Sequence, residues 1–549
     1  MHQITRRFLF LSCFAVFGIL SGCKSEEDKI QIDSKPPNIL FIMSDDHAYQ
    51  AISAYDDRLI QTPNIDRIAR EGMLFTNASV TNSICAPSRA VILTGKHSHI
   101  NGKIDNISPF DTTNVTFPQL FREAGYQTAM FGKLHFGNNP KGVDEFMILP
   151  GQGRYYNPKF ITKEGDTIIK GYVTDIITDQ TLKWLKEKRN PEKPFLLMYF
   201  HKAPHRSWLP APRHYREFTQ KKFPLPSSLF DDYKRVHDSN ISDSIPKYST
   251  AAKDAEMSIL AHMTLGYDNK VNLQTLNQLG VKEDFMNWPP TSNMDEQQST
   301  IWDSIYNPIS ADFLERYNQM STEELMEWKY QRYMQDYLGC IAGVDENVGR
   351  VLDYIEDSGL EDKTVVVYTS DQGFYLGEHG WFDKRFMYNE SFKTPLLIKW
   401  PNVITPNTTQ EEMVQNLDFA QTFLEMAGIV APEDMQGESI VPLLKGENHL
   451  WKRDAIYYHY YEYPGVHMVK RHYGIANKRY KLMHFYYDID EWELYDLEKD
   501  PQELNNEYYN PEYSEIVGEL KTKLKELRLK YKDSDSLNQK FINQYSEEP

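Results

Sequence analysis

Two apolar runs that end in carboxylates constrain this 549-residue chain more than anything else in it. Residues 37–46 read PNILFIMSDD and residues 364–373 read TVVVYTSDQG. Neither run alternates apolar with polar side chains, so neither face of the strand is left for water. Strands of that kind lie inside a parallel sheet covered on both sides. Further strand-like runs at Tyr126–Gly132, Phe195–Phe200 and Pro395–Trp400 alternate with helical stretches at Asn64–Glu71 and Thr174–Lys188. The fold class predicted is α/β: a large mixed, mainly parallel sheet flanked by helices. Gly72, directly after the first of those helices, suits a left-handed C-cap.

Asp45 and Asp46 close the first run, and Asp371 and Gln372 close the second. In open α/β sheets ligands collect beyond the carboxyl ends of the strands, so the two tips can meet across more than three hundred intervening residues. Carboxylates with an amide oxygen suit a hard cation, Ca²⁺ first and Mg²⁺ second. Aspartates at strand ends are often only turn and cap residues. Several gathered in one place repel one another unless a cation holds them.

A third segment, Cys85–Gly95, reads CAPSRAVILTG. An isolated cysteine in a polar turn is a candidate nucleophile, although lone cysteines are more commonly buried structural thiols. A fourth, Gly125–Phe136, reads GYQTAMFGKLHF and brings Lys133 and His135 after a short strand. Two more follow, FLLMYFHKAPHRSW with His205 and GEHGWFDKRFMYNES with Lys384.

Together these blocks resemble the type I formylglycine-dependent sulfatases of the alkaline phosphatase superfamily, in the family's order and across nearly all of the chain after its first residues. The resemblance implies that Cys85 is oxidised to formylglycine by a maturation enzyme, and that its hydrate attacks sulfur. It implies Ca²⁺ bound by Asp45, Asp46, Asp371 and Gln372, with the modified Cys85 beside it. Many relatives have asparagine where this chain has Gln372, whose amide oxygen sits on a longer arm. Arg89 would brace the hydrate, Lys133 and Lys384 would hold sulfate oxygens, His205 would protonate the leaving oxygen, and His135 would act as the base that triggers release. The strings around Tyr155, His205, Lys384 and His467 look like those of bacterial N-acetylglucosamine-6-sulfatase-like enzymes, with Asp383, Arg385 and His467 at the sugar. The substrate class implied is a sulfated glycan. Other sugars or sulfate positions (galactose, N-acetylgalactosamine, uronate), a phosphonate or phosphate-diester hydrolase, and a non-catalytic glycan-binding lipoprotein are the alternatives.

The formal charge of −18 at pH 7 looks wrong for an anionic substrate. The local field decides this, since Arg89, Lys133, His135, His205, Lys384 and a cation would gather positive charge in one pocket. The same balance argues against nucleic acid, which needs a broad basic surface.

Along the chain, residues 36–445 read as the catalytic domain, with 205–322 a long, irregular insertion forming a cleft wall. The run Thr322–Asp357 reads as a core helix. Residues 446–549 read as a smaller α+β subdomain: aromatic alternating runs for an antiparallel sheet, then a charged helix from about Ser514 to Tyr531. A separate carbohydrate-binding module is the rival reading of those aromatics.

At the start, Arg6 and Arg7, an apolar stretch and the sequence LSGC read as a lipoprotein signal peptide over residues 1–22, with Cys23 lipidated and residues 23–35 an acidic tether. This predicts an outer-membrane lipoprotein, periplasmic or surface-facing, that meets the membrane through its lipid alone. With Cys13 removed, Cys23 lipidated and Cys85 modified, Cys340 is left alone and no disulfide framework is possible.

Overall fold

A computed structural model describes residues 36–233, 247–282 and 291–547; the expected signal peptide, Cys23 and the tether lie outside them. A ten-stranded sheet organises the larger part of the chain. At its centre, strands Thr364–Ser370, Asn38–Ser44, Phe195–Phe200 and Gln127–Lys133 lie side by side, each parallel to the next. The strand Leu396–Lys399 adds antiparallel to Thr364–Ser370.

The unbroken apolar runs have a simple cause. In Asn38–Ser44, Leu40 and Ile42 enter one core while Ile39, Phe41 and Met43 enter another on the opposite face, and all five are buried. Successive side chains point to opposite faces of a strand, so a sheet covered twice leaves no position for a polar residue. The register pairs Ser44 with Ser370 and Gly132 with Phe200, which sets the carboxyl ends of the strands along one edge.

Helix Thr322–Asp357 runs the length read from the sequence. It opens with a capping box between Ser321 and Glu324 and buries Tyr333, Tyr337, Ile341 and Val344 completely. Tyr337 does more than fill core: its hydroxyl donates to the carbonyl of Asp46 at 2.8 Å and accepts from the N–H of Ala48 at 2.8 Å.

Three expectations are corrected. Gly72 is not a left-handed cap, since the helix Pro63–Arg70 ends on Glu71 in helical backbone. A Cβ at Gly72 would instead lie 2.1 Å from the carbonyl oxygen of Ile398, so close strand approach selects glycine. The segment read as Thr174–Lys188 is an α-helix only over Val173–Lys183 and continues as a π-helical turn to Lys188. Finally, the insertion is less irregular than its composition suggests, because it contains the 21-residue helix Glu296–Arg316. A capping box between Asp295 and Gln298 starts that helix, and Trp302, Tyr306, Ser310 and Phe313 form its buried stripe, with Pro308 interrupting the pattern in the sequence.

Beyond residue 455 a four-stranded antiparallel sheet forms from Ile456–Tyr460, His472–Ala476, Tyr480–Phe485 and Glu491–Asp496. Helix Ser514–Lys530 packs Leu520, Leu524 and Leu527 against Tyr457, Ile475, Leu482 and Leu494. A further helix, Asp535–Glu547, was not anticipated. The other face of the small sheet shares one core with the larger part of the chain: Tyr458, Met483 and Phe485 pack with Trp381, Phe386 and Tyr388. The tail aromatics thus belong to a joint core, which does not fit a separate module. No described helix is long and apolar enough to cross a membrane.

Candidate active site

Four strand ends and one helix start converge at the carboxyl edge of the sheet. Because Ser44 and Ser370 are in register, Asp45 and Asp46 meet Asp371 and Gln372 directly, and all four are fully buried. The N–H of Asp46 donates to Asp371 Oδ1 at 3.1 Å. Asp46 takes left-handed backbone, φ 65°, which turns consecutive carboxylates toward the same centre.

The helix Cys85–Thr94 starts at this point and buries every one of its residues. Cys85 Sγ lies 4.0 Å from Asp46 Oδ1 and 4.0 Å from Gln372 Nε2. One ligating atom from each of Asp45, Asp46 and Cys85 falls within 4.8 Å of the others. Ser88 anchors the first turn, donating to the Asp371 carbonyl and accepting from Asn416 Nδ2 at 2.8 Å. From the next position Arg89 spans the site, with Nε 2.9 Å from Asp371 Oδ2, Nη2 3.3 Å from Asp45 Oδ1 and Nη1 2.6 Å from the Lys133 carbonyl.

Lys133 ends its strand with Nζ on Asp45 Oδ2 and Gln152 Oε1. Lys384 reaches in from the loop after Gln372, its Nζ 2.7 and 2.8 Å from the two oxygens of Asp46. Burial pushes all three carboxyls up, but the charges of Lys133 and Arg89 hold Asp45 well below the usual range. Asp46 stays raised, to about 6, and Asp371, to about 7, each by burial and by neighbouring carboxylates that outweigh Lys384 and Arg89. Burial also pushes the Cys85 thiol far up, so an unmodified cysteine here is a poor nucleophile.

The residues fit a hard divalent cation. Three buried carboxylates stand together, and Gln372 Oε1 is buried with no hydrogen-bond partner among the described residues. Gln372 turns its Nε2 onto Asp46 Oδ1 at 2.5 Å, which leaves the oxygen for another electropositive group.

The histidines lie at the rim. His205 Nδ1 bonds the Arg206 carbonyl at 2.5 Å, and Nε2 is 3.7 Å from Asp46 Oδ2. His135 stands two residues past Lys133 in left-handed backbone, φ 66°, with a buried Nδ1 that has no partner among the described residues. Burial first and the charge of Lys133 second push both imidazoles well below their usual pKa.

Asp383, Lys384 and Arg385 form one tight turn, with φ of 79° at Asp383 and 92° at Arg385. Arg385 Nε bonds Asp383 Oδ1 at 3.0 Å, and His467 Nε2 sits 3.4 Å from Asp383 Oδ2. Asp383 and Arg385 are about 5% and 4% exposed, so this is a buried pair at the pocket and not a surface ion pair. His467 comes from the tail, its Nδ1 2.7 Å from the Glu256 carbonyl of the insertion. The catalytic, metal-binding and sugar-facing residues read from the sequence therefore come to one edge of the sheet, while Cys23 lies outside the described residues. Sequence reasoning missed Gln152, Asn416, Arg206 with its bidentate partner Asp268 at 2.6 and 2.7 Å, and Glu462. None stands next to a signature residue carrying its own spacing pattern, except Arg206, which directly follows His205.

Comparison with known proteins agrees with this geometry. The Sulfatase family model matches residues 37–429, and the model for the C-terminal part of N-sulphoglucosamine sulphohydrolase matches 377–530. An N-acetylglucosamine-6-O-sulfatase of Bacteroides thetaiotaomicron is 46% identical, covering 94% of this chain and 90% of its own. The human N-acetylglucosamine-6-sulfatase is 25% identical over 81% of this chain and 69% of its own. A solved structure of a protein in complex with its substrate D-glucosamine-2-N,6-O-disulfate superposes with a TM-score of 0.85 at 47% identity, covering 91% of this chain and 99% of that one. Signature, buried acidic site, family model and close relative agree: the chain belongs to the sulfatase family and is an enzyme that hydrolyses sulfate esters.

Proposed function

We propose that this sulfatase removes the 6-O-sulfate of N-acetylglucosamine or N-sulfated glucosamine units in glycosaminoglycan or mucin-type glycans. The observation that carries the reading is the Asp383–Arg385–His467 cluster, which sets a carboxylate, a guanidinium and an imidazole beside Lys384 at the mouth of the anion pocket. A sugar whose exocyclic sulfate enters the pocket presents its ring hydroxyls to these groups. The names of the relatives support the same substrate class.

Cys85 matured to formylglycine and a Ca²⁺, or Mg²⁺, held by Asp45, Asp46, Asp371 and Gln372 would supply a hydrated aldehyde and a positive charge for the sulfate oxygens. The chain's own residues do the rest. Arg89, locked between Asp45 and Asp371, keeps the helix start and the carboxylates in fixed relation. Lys133 and Lys384 are buried ammonium groups whose bonds to Asp45 and Asp46 pass to sulfate oxygens as substrate enters. His205, whose imidazole takes up a proton when the anionic sulfate binds beside it, protonates the leaving sugar oxygen, and His135, kept neutral by burial, accepts the proton whose loss releases sulfate.

Desulfation of 2-O-, 3-O-, 4-O- and 6-O-sulfated monosaccharides tests the regiochemistry. Turnover confined to glucosamine 6-sulfates is the expected result, and preference for another position rejects the reading. We further propose that a lipid on Cys23 holds the enzyme at the outer membrane. Cys23→Ala should then move the protein from the membrane to the soluble fraction.

A further inference from the structure

Arg385 is held from behind by a carboxylate that the reaction reading does not use. Glu462, 3% exposed, lies two residues past the strand Ile456–Tyr460 of the small sheet. Its Oε1 accepts from Arg385 Nη1 at 2.8 Å, and its Oε2 accepts from the backbone N–H of Asn106 at 2.7 Å. Asn106 Oδ1 accepts in turn from the N–H of Ala86 at 3.0 Å, in the first turn of the helix that presents Cys85. Tyr460 completes the bracket, its hydroxyl 3.1 Å from Arg385 Nη1 and donating to the Glu462 carbonyl at 2.9 Å. With Nε on Asp383 and Nη1 on Glu462 and Tyr460, the guanidinium is fixed on two sides, and Nη2 has no hydrogen bond among the described residues.

We infer that Glu462 is a positioning residue for sugar recognition. It fixes Arg385 relative to Cys85, so the span between the group that grips the sugar and the group that attacks its sulfate is set by a carboxylate from the C-terminal tail. Two acceptor oxygens are needed because both partners are donors. An amide at this position would turn an N–H against either Arg385 or the Asn106 N–H. The inference rests on the glucosamine 6-sulfate reading above.

The test compares wild-type enzyme, Glu462→Gln, Arg385→Ala and the double variant, each with Cys85 matured. kcat and KM are measured on N-acetylglucosamine 6-sulfate and on 4-nitrophenyl sulfate, an ester without sugar hydroxyls. Glu462→Gln should lower kcat/KM on the sugar ester by about tenfold or more while changing the aryl ester by less than about threefold. In the double variant, Glu462→Gln should add nothing to the loss from Arg385→Ala on the sugar ester. Equal losses on the two esters, or full additivity with Arg385→Ala, would overturn the inference; the first arm needs only the single variant. A wild-type enzyme that cleaves the aryl ester and no glucosamine 6-sulfate overturns the substrate reading and takes this inference with it.

Discussion

At the scale of single residues the site is an exercise in compensated burial. Arg89 is about 1% exposed and sits between two aspartates that are wholly buried. Attraction repays the desolvation of such a group only while every partner stays in place. Arg89→Ala leaves Asp45 and Asp371 facing each other without it, so the variant should lose about 3–5 kcal/mol of stability in urea unfolding as well as its activity. Lys384→Ala acts differently, because the buried ammonium hydrogen-bonds a single aspartate, Asp46, whose pKa is already raised to about 6, so that carboxyl can take up a proton in its place. Its kcat should fall by about 10²–10³-fold with a smaller stability change, read from single-turnover rates and thermal melts. The signature cysteine, lysines and aspartates were legible one by one, since each stands at a fixed offset in a motif or at the end of an apolar strand. Gln152 and Glu462 were not, because their partners Lys133 and Arg385 lie at different places in the chain, and no spacing marks a contact made in space.

The elements show why certain positions admit one residue. Gly132, within the Gly-Lys-x-His segment, has φ 114°, and a Cβ there would lie 1.6 Å from the Phe200 carbonyl oxygen. Gly132→Ala must therefore push the lysine strand away from its parallel neighbour. A cost of about 1–3 kcal/mol is expected, with loss of activity exceeding that of Ala substitutions in exposed loops. In the small sheet His472 is fully buried among Tyr458, Phe386 and Phe485, its Nδ1 on the Lys470 carbonyl. Burial depresses its pKa from 6.5 to about 3. Between those values the unfolded chain binds a proton that the folded chain does not, so the stability owed to the neutral ring is complete above pH 6.5 and drains away as the pH falls toward 3. His472→Phe should remove that proton from the balance. Its urea stability relative to wild type should improve by up to about 1.4 kcal/mol per pH unit on acidification below pH 6.5, whatever fixed packing cost the ring change carries. Strand and helix identities were readable because their apolar periods are long. The helix Glu296–Arg316 was hidden by Pro308 and a polar exterior, and the π-helical turn over Trp184–Lys188 by its continuity with a normal helix.

For the whole molecule the central fact is that the small sheet shares one aromatic core with the loops of the larger part, Trp381, Phe386 and Tyr388 being set against Tyr458, Met483 and Phe485 of the tail. Removal of the chain after residue 446 should therefore abolish soluble expression of the larger part, instead of leaving an active catalytic core. Cation binding is a second global term. If a divalent ion occupies the carboxylate cluster only in the folded state, Ca²⁺ at a hundredfold excess over Kd adds about 2.7 kcal/mol. The unfolding midpoint should rise with Ca²⁺, fall with EDTA and lose both responses in Asp371→Asn. Sequence alone determined the sheet's central strands, the long helix Thr322–Asp357 and the carboxylates that close the two central strands. It could do so because apolar runs covered on both faces, and side chains required at the ends of those runs, leave a local record. Only the tertiary structure decided how Arg385 is aimed, that Gln372 Oε1 has no partner among the described residues and that the tail belongs to the same core. Those features depend on register and on contacts between residues more than seventy positions apart, which packing in three dimensions sets and no local pattern encodes.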